Sequence, residues 1–173
     1  MRVVSGTAGG LRLVAPAGRD TRPTTDRVRE AIFSALESLG SVGGAEVLDL
    51  FAGSGALGIE ALSRGAAAAT FVDNAGDAIA AIAANLDRTK LVGGTVVRAD
   101  ALGFVASGGR YDLAFADPPY DFDRWPELLA TPFAALVVLE SGGDLVLGDG
   151  WETLRHKRYG GTVVTMARAA VVG

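Results

Sequence analysis

The sequence predicts an α/β fold in which a mostly parallel sheet closes with an antiparallel C-terminal hairpin, preceded by a short N-terminal β-hairpin and helix. Three observations carry this. Between residues 46 and 129, short apolar runs alternate with helical patterns, which is how βαβ units read. A glycine-rich loop, Ala52-Gly53-Ser54-Gly55-Ala56-Leu57-Gly58, joins the first apolar run to the first of these helices. The C-terminal stretch holds two alternating runs, Trp151–Arg158 and Thr162–Arg168, split by Gly160-Gly161.

Residues 2–6 and 10–14 alternate about a Gly-rich turn and read as the opening hairpin. Pro16, Gly18 and Pro23 mark 15–23 as loop. Beyond it, Val28, Ile32, Leu36 and Leu39 recur at three- and four-residue steps. They define a helix that Thr24, Thr25 or Asp26 can cap and that Gly40, Gly43 and Gly44 end. Strands are then expected at 46–51, 69–72, 95–98 and 112–116, and helices at 56–64, 75–86 and 124–129. Two further strand-like pieces, 136–140 and 144–147, precede the closing hairpin. No repeat, low-complexity tail or second domain is visible. Residues 1–173 read as one domain, with 1–44 standing ahead of a core at 45–173.

Composition excludes several classes. With no cysteine among 173 residues there is no disulfide framework, zinc finger or thiol nucleophile, which fits a reducing cytosol. No apolar run reaches the roughly 18–20 residues that span a bilayer, and Met1–Gly6 carries no signal-peptide core, so a cytoplasmic protein is expected. A net charge of -4 argues on average against a nucleic-acid partner. The charge is uneven, however. Residues 1–30 hold six arginines against three acids, net +3, which leaves -7 for the remainder. Arginine is the side chain suited to bidentate phosphate contacts, although a solvated, arginine-rich surface reads the same way.

Gly53, Gly55 and Gly58 match GxGxxG between a strand and a helix, where an open α/β sheet binds nucleotide-like ligands; a plain tight turn is the simpler reading. Acids stand at successive strand ends. Asp49 lies four residues before Gly53. A carboxylate there is unfavourable for a pyrophosphate and suits a cationic ligand such as the amino group or sulfonium of S-adenosylmethionine. Asp73 follows the second strand and can accept ribose hydroxyls, which NAD shares, so it does not discriminate. Asp100, past the third strand, is placed for an adenine amino group. Each of these acids can also simply cap a helix. Asp117-Pro118-Pro119-Tyr120 follows the fourth strand. The two prolines have no N–H and hold their carbonyls rigid, unpaired by a ladder. Beside the Asp117 carboxylate they offer acceptors to both hydrogens of an amino group on a planar ring, and Tyr120 offers a face for stacking. His156, among Arg155, Lys157 and Arg158, reads as an exposed strand residue without a partner, and no metal site is suggested. Trp125 and Trp151 are expected to pack the late part of the sheet, with Trp125 also near Tyr120.

Asp49-Leu50-Phe51-Ala52-Gly53-Ser54-Gly55 together with Asp117-Pro118-Pro119-Tyr120 resembles the S-adenosylmethionine-dependent amino-methyltransferases. Residues 21–30, Thr-Arg-Pro-Thr-Thr-Asp-Arg-Val-Arg-Glu, and residues 57–66, Leu-Gly-Ile-Glu-Ala-Leu-Ser-Arg-Gly-Ala, narrow this. They are similar to the RsmD-type family of bacterial 16S rRNA (guanine-N2)-methyltransferases, and the resemblance covers nearly the whole chain. It implies a seven-strand Rossmann-like fold, S-adenosylmethionine as cofactor, and 16S ribosomal RNA, in a small-subunit particle, as partner of a monomer. Carried over, Asp49, Phe51, Ala52, Gly53, Ser54, Gly55, Asp73, Asn74, Asp100 and Ala101 line the cofactor. Asp117, Pro118, Pro119 and Tyr120 hold the guanine, and residues 1–44 face the RNA through Arg2, Arg12, Arg22, Thr24, Arg27 and Arg29. The chain departs from the family in having Asp73 where a glutamate is usual and in a compact, Gly-rich 136–151. Competing functions are a DNA-adenine or protein-glutamine methyltransferase, an NAD-dependent oxidoreductase built on the glycine loop, and a non-catalytic RNA-binding module.

Overall fold

The computed structural model describes residues 1–18 and 24–171. In chain order the elements are α1 (Asp26–Ser38), β1 (Glu46–Leu50), α2 (Ala56–Ser63), β2 (Ala68–Asp73), α3 (Gly76–Thr89), β3 (Gly94–Arg98) and α4 (Ala101–Ala106). They continue as β4 (Tyr111–Ala116), α5 (Trp125–Leu128), β5 (Ala134–Ser141), β6 (Trp151–Tyr159) and β7 (Thr162–Ala169). The seven strands form one sheet in the order β3-β2-β1-β4-β5-β7-β6. The first five are parallel, and β7 runs antiparallel to both β5 and β6. This is the expected architecture. Strand order reverses between β1 and β4, so a crevice opens beyond their carboxyl ends. Among the described residues no helix is long and apolar enough to cross a membrane.

Two cores sandwich the sheet. One face packs Ile32, Phe33 and Leu36 of α1, Ile59 of α2 and Ile82 of α3 against Val47, Phe71 and Phe115. The other packs Leu128 and Leu129 at the end of α5 and Trp151 against Leu48, Leu50 and Val137. Trp151 also donates from Nε1 to the Leu129 carbonyl at 2.9 Å. Trp125 packs, partly buried, against the same cluster and also meets the edge of Phe122, which in turn meets Phe51 at the start of the glycine loop. Helix α1 starts on Thr25, whose hydroxyl accepts from the Val28 N–H, and stops at Gly40, which takes φ +66°.

Three expectations are corrected. The N-terminal segment is a hairpin only at its mouth, with one bridge between Arg2 and Arg12. Backbone pairing continues through Val3, which exchanges hydrogen bonds with Leu11 and Gly10, and stops where a buried carboxylate takes the next N–H groups: Glu60 accepts from Val4 at 2.8 Å and from Ser5 at 3.0 Å. The same carboxylate pairs with Arg64, which also reaches Glu30 and Glu37 of α1 and lies over the Phe33 ring. Residues 144–147 are not a strand. Leu145 and Leu147 turn inward and Val146 outward, which imitates strand alternation, but their backbone pairs with no strand among the described residues. Instead Asp144 reaches His156, whose Nε2 lies 2.9 Å from its Oδ1, so the histidine has a partner. Finally α4, short and capped by Asp100, was not visible in the periodicity.

Gly58 sits in α2 where a Cβ would stand 2.4 Å from the ring of Phe71 in β2. Gly58→Ala is expected to cost about 1–3 kcal/mol through overpacking. Gly43→Ala, which meets open space, should stay within about 0.5 kcal/mol of the parent in urea denaturation.

Candidate functional site

The loop after β1 turns sharply: Phe51, Gly53 and Gly55 all take positive φ, at +55°, +58° and +78°. For Phe51 this costs of order 1 kcal/mol, so the surroundings must hold it. They do so through acids at strand ends. Asp73, at the end of β2, accepts from the Gly53 N–H at 2.9 Å with one oxygen and from the Ala75 N–H at 3.0 Å with the other. Asp49 accepts from the Gly58 N–H at 3.0 Å. Behind the loop, buried Asn85 of α3 donates to the Ser54 carbonyl and exchanges two hydrogen bonds with Val14, tying the N-terminal segment to the loop.

The structure therefore brings Asp49, Phe51, Ala52, Gly53, Ser54, Gly55 and Asp73 together at the β1 edge of the crevice. Asp49 is only 2% exposed and Asp73 6%, so both support the loop from within it. Asn74 and Asp100 lie beyond β2 and β3. Asn74 is exposed and its carbonyl accepts from Arg98 Nε, while Asp100 caps α4 by accepting from the Gly103 N–H, with buried Ala101 opening that helix.

Across the crevice, Asp117-Pro118-Pro119-Tyr120 leaves β4. One expectation changes here. The Pro119 carbonyl accepts from the Phe122 N–H at 3.0 Å, which leaves that of Pro118 as the rigid acceptor beside Asp117. Tyr120 is 67% exposed, beside Gly142. The Asp117 carboxylate is half-buried, and Thr24 Oγ1 lies 3.5 Å from its Oδ2.

That threonine leads to a residue the sequence reading passed over. Glu140, the penultimate residue of β5, is 4% exposed, and its two oxygens lie 2.9 and 3.1 Å from the same Thr24 hydroxyl. The signal was available: Glu140 ends the apolar run Leu136–Leu139 as Asp49, Asp73 and Asp117 end or follow theirs. Burial raises the Asp117 carboxyl to about 6, with Thr24 pulling the other way. Burial first, then the Asp117 charge, raises Glu140 to about 8, opposed by Thr24 and by Arg29. Asp49 is held well above the usual carboxylate range by burial, against its hydrogen bond from Gly58.

The arginine rim divides. Arg2, Arg12 and Arg27 are exposed, with Arg2 3.5 Å from Asp26. Arg29 is not on the rim. It is fully buried, donates to the Arg2 carbonyl at 2.8 Å and pairs with Asp26, because position 29 falls on the core face of α1 beside Ile32, Phe33 and Leu36. Thr24 likewise turns inward, onto the two carboxylates. Arg22 lies outside the described residues.

Taken together, strand order and topology define the class: the Rossmann-like fold of S-adenosylmethionine-dependent methyltransferases, here with Asp49 and Asp73 beneath the glycine loop and Asp-Pro-Pro-Tyr across the crevice. The family model described as Conserved hypothetical protein 95 matches residues 1–168, and the chain belongs to that family, the RsmD family. It is 39% identical over 170 residues to YlbH of Bacillus subtilis, provisionally described as an rRNA methyltransferase, covering 95% of this chain and 91% of that one. It is 40% identical over 121 residues to ribosomal RNA small subunit methyltransferase D of Escherichia coli K12, covering 69% of this chain and 60% of the relative, less than two thirds of its length. Among solved structures, yhhF of Escherichia coli, provisionally a methyltransferase, superposes with a TM-score of 0.86 at 33% identity, covering 98% and 97% of the two chains.

A carboxyl that holds its proton when folded and loses it when unfolded makes stability fall as pH rises between the two values. For Glu140 that window runs from roughly 4.3, the unfolded value, to about 8. Glu140→Gln removes this titration. Its stability minus that of the parent should therefore climb from pH 5 to pH 8, by up to about 1.4 kcal/mol per pH unit. Urea denaturation at pH 5, 6.5 and 8 measures this; parallel curves would contradict it.

Proposed function

We propose that the chain transfers a methyl group from S-adenosylmethionine to the exocyclic N2 amine of a guanosine in 16S ribosomal RNA, with residues 1–44 facing the RNA and 45–173 forming the catalytic core. The observation that carries this reading is the pairing, across the crevice between β1 and β4, of a carboxylate-supported glycine loop with the Asp117 carboxylate and the Pro118 carbonyl. The rRNA methyltransferases among its relatives support the substrate class.

The residues fit this cofactor. Asp73, accepting the Gly53 and Ala75 N–H groups, sets a carboxylate beneath the loop, which is unfavourable to a pyrophosphate and favourable to a sulfonium cation. Bound there, S-adenosylmethionine supplies a methyl group already activated by its positive sulfur. The chain supplies position and electrostatics. A guanine amine is a poor nucleophile because its lone pair is delocalised into the ring. Asp117 and the Pro118 carbonyl each accept one amine hydrogen, which twists the amine out of conjugation and aims its lone pair. Asp117 is also the acceptor for the proton released on transfer, and Tyr120 offers the base a stacking face. Because burial places Asp117 near 6, activity should fall on the acid side of that value as the acceptor is protonated.

Tritiated methyl transfer to 30S particles or 16S RNA is expected, with N2-methylguanine identified by mass spectrometry of the nucleosides. Asp117→Ala should lower it by about 100-fold or more. No transfer to any RNA, together with tight NADH binding, would overturn the reading. Exposed Arg12 and Arg27 are expected to contact phosphates. Arg12→Ala with Arg27→Ala should weaken RNA binding and flatten its salt dependence by roughly one unit of slope per lost contact. Calorimetry should show cofactor affinity unchanged; a parallel loss would make these arginines structural.

A further inference from the structure

Glu140 ends β5 next to the strand from which Asp117 emerges, yet it is enclosed and cannot meet a base directly. What it meets is Thr24, through contacts of 2.9 and 3.1 Å, and the same hydroxyl lies 3.5 Å from Asp117 Oδ2. A hydroxyl has one hydrogen and two lone pairs. If both carboxylates were ionised, that hydrogen would serve one of them, and the other would face a lone pair at hydrogen-bond distance in a site with little water. One added proton resolves the conflict. A carboxyl on Glu140 donates to Thr24 Oγ1, and the Thr24 hydrogen turns to Asp117 Oδ2.

Burial decides which acid takes the proton. Asp117 is only half-buried at the crevice, whereas Glu140 is enclosed at 4% exposure, so Glu140 bears the larger desolvation penalty. The charged groups around Glu140 are Asp117 after β4, Asp49 of β1 and Arg29 of α1. The two acids disfavour a charge on Glu140. Arg29 favours one, but it makes no hydrogen bond to Glu140: it bonds to the Arg2 carbonyl and Asp26, and its Nε and Nη1 have no partner among the described residues.

We propose that Glu140 is a positioning residue of the methyl-transfer site: its neutral carboxyl, acting through Thr24, orients Asp117 and keeps the charge there, leaving Oδ1 of Asp117 for the substrate amine. This rests on the reading of Asp117 as the amine acceptor. It also means that the catalytic acceptor is completed by Thr24, which stands at the foot of α1 in the arginine-bearing N-terminal segment, so that segment belongs to the acceptor as well as to the rim.

The test combines methyl-transfer kinetics with carboxyl titration by NMR on the full chain labelled with ¹³C at Asp and Glu. Glu140→Gln, whose amide can still donate to Thr24, and Thr24→Ser should keep kcat within about threefold of the parent. Glu140→Ala and Thr24→Val should lower kcat by about tenfold or more while cofactor affinity holds. Thr24→Val should also move the Asp117 titration, and with it the acid limb of kcat, to higher pH, because the ionised form loses a donor. Equal losses in Glu140→Gln and Glu140→Ala would overturn the proposal, since an ionised glutamate would then be what matters. An unmoved Asp117 titration and unmoved kcat in Thr24→Val would overturn it too. Should Glu140→Ala fail to fold, the Thr24→Val and Thr24→Ser pair carries the same comparison. A parent chain that transfers no methyl group would defeat the functional reading instead, and the carboxyl titrations would still decide whether Glu140 holds the proton and Thr24 the link.

Discussion

Buried carboxylates along one sheet edge are the constraint around which the site is arranged. Five parallel strands bring their carboxyl ends to the same side, and Asp49, Asp73, Asp117 and Glu140 all fall there. Taking a carboxylate out of water is costly unless hydrogen bonds replace the water. The chain answers by bending its own backbone towards them: the N–H groups of Gly53, Gly58 and Ala75 point at Asp73 and Asp49. The left-handed loop is thus shaped by acids, with its glycines permitting the bend. Where the backbone offers no N–H, as between Asp117 and Glu140, a single threonine hydroxyl stands in, and a proton completes the count.

The N-terminal segment is attached by the same logic. Its described residues add no strand to the sheet, and apart from the Thr7 N–H donating to the Ser63 carbonyl its links are mostly side chains of the core that reach out to its backbone. Glu60 takes the Val4 and Ser5 amides, the Ser63 hydroxyl accepts from the Ala8 amide, and Asn85 brackets Val14 while also holding the Ser54 carbonyl of the glycine loop. Arg29 pins the Arg2 carbonyl from the buried face of α1. Such contacts link a segment of high positive charge to the loop that would carry the cofactor, so loosening one should be felt by the other.

The strand–helix alternation was legible because βαβ periodicity is local, and the acids at strand ends were legible because each follows an apolar run. Residues 144–147 misled because inward–outward alternation needs only two environments, whereas a strand needs a partner. Arg29 and Thr24 were placed on the rim by the family resemblance, which does not say which way each side chain turns; the period through Ile32 and Leu36 could have assigned Arg29 to the core face of α1. Glu140 was the harder case. Its importance depends on Thr24, 116 residues away in sequence, and no local pattern encodes that meeting.

The edge also explains how a chain of net charge -4 can present opposite faces to two ligands. Negative charge is concentrated beneath the loop and in the crevice, where it would stabilise a cation and accept the hydrogens of an amine. Positive charge is set outside, on Arg2, Arg12 and Arg27, where phosphates would be met in water and where their attraction is tunable by salt. Burial sharpens the division by keeping Glu140 neutral. A second full charge beside Asp117 would repel any phosphate approaching the crevice, while the proton leaves one carboxylate, enough to hold one amine. The acidic interior and the basic rim therefore follow from one arrangement, in which the sheet fixes where the acids lie and the N-terminal segment, fastened across them, brings the arginines to their edge.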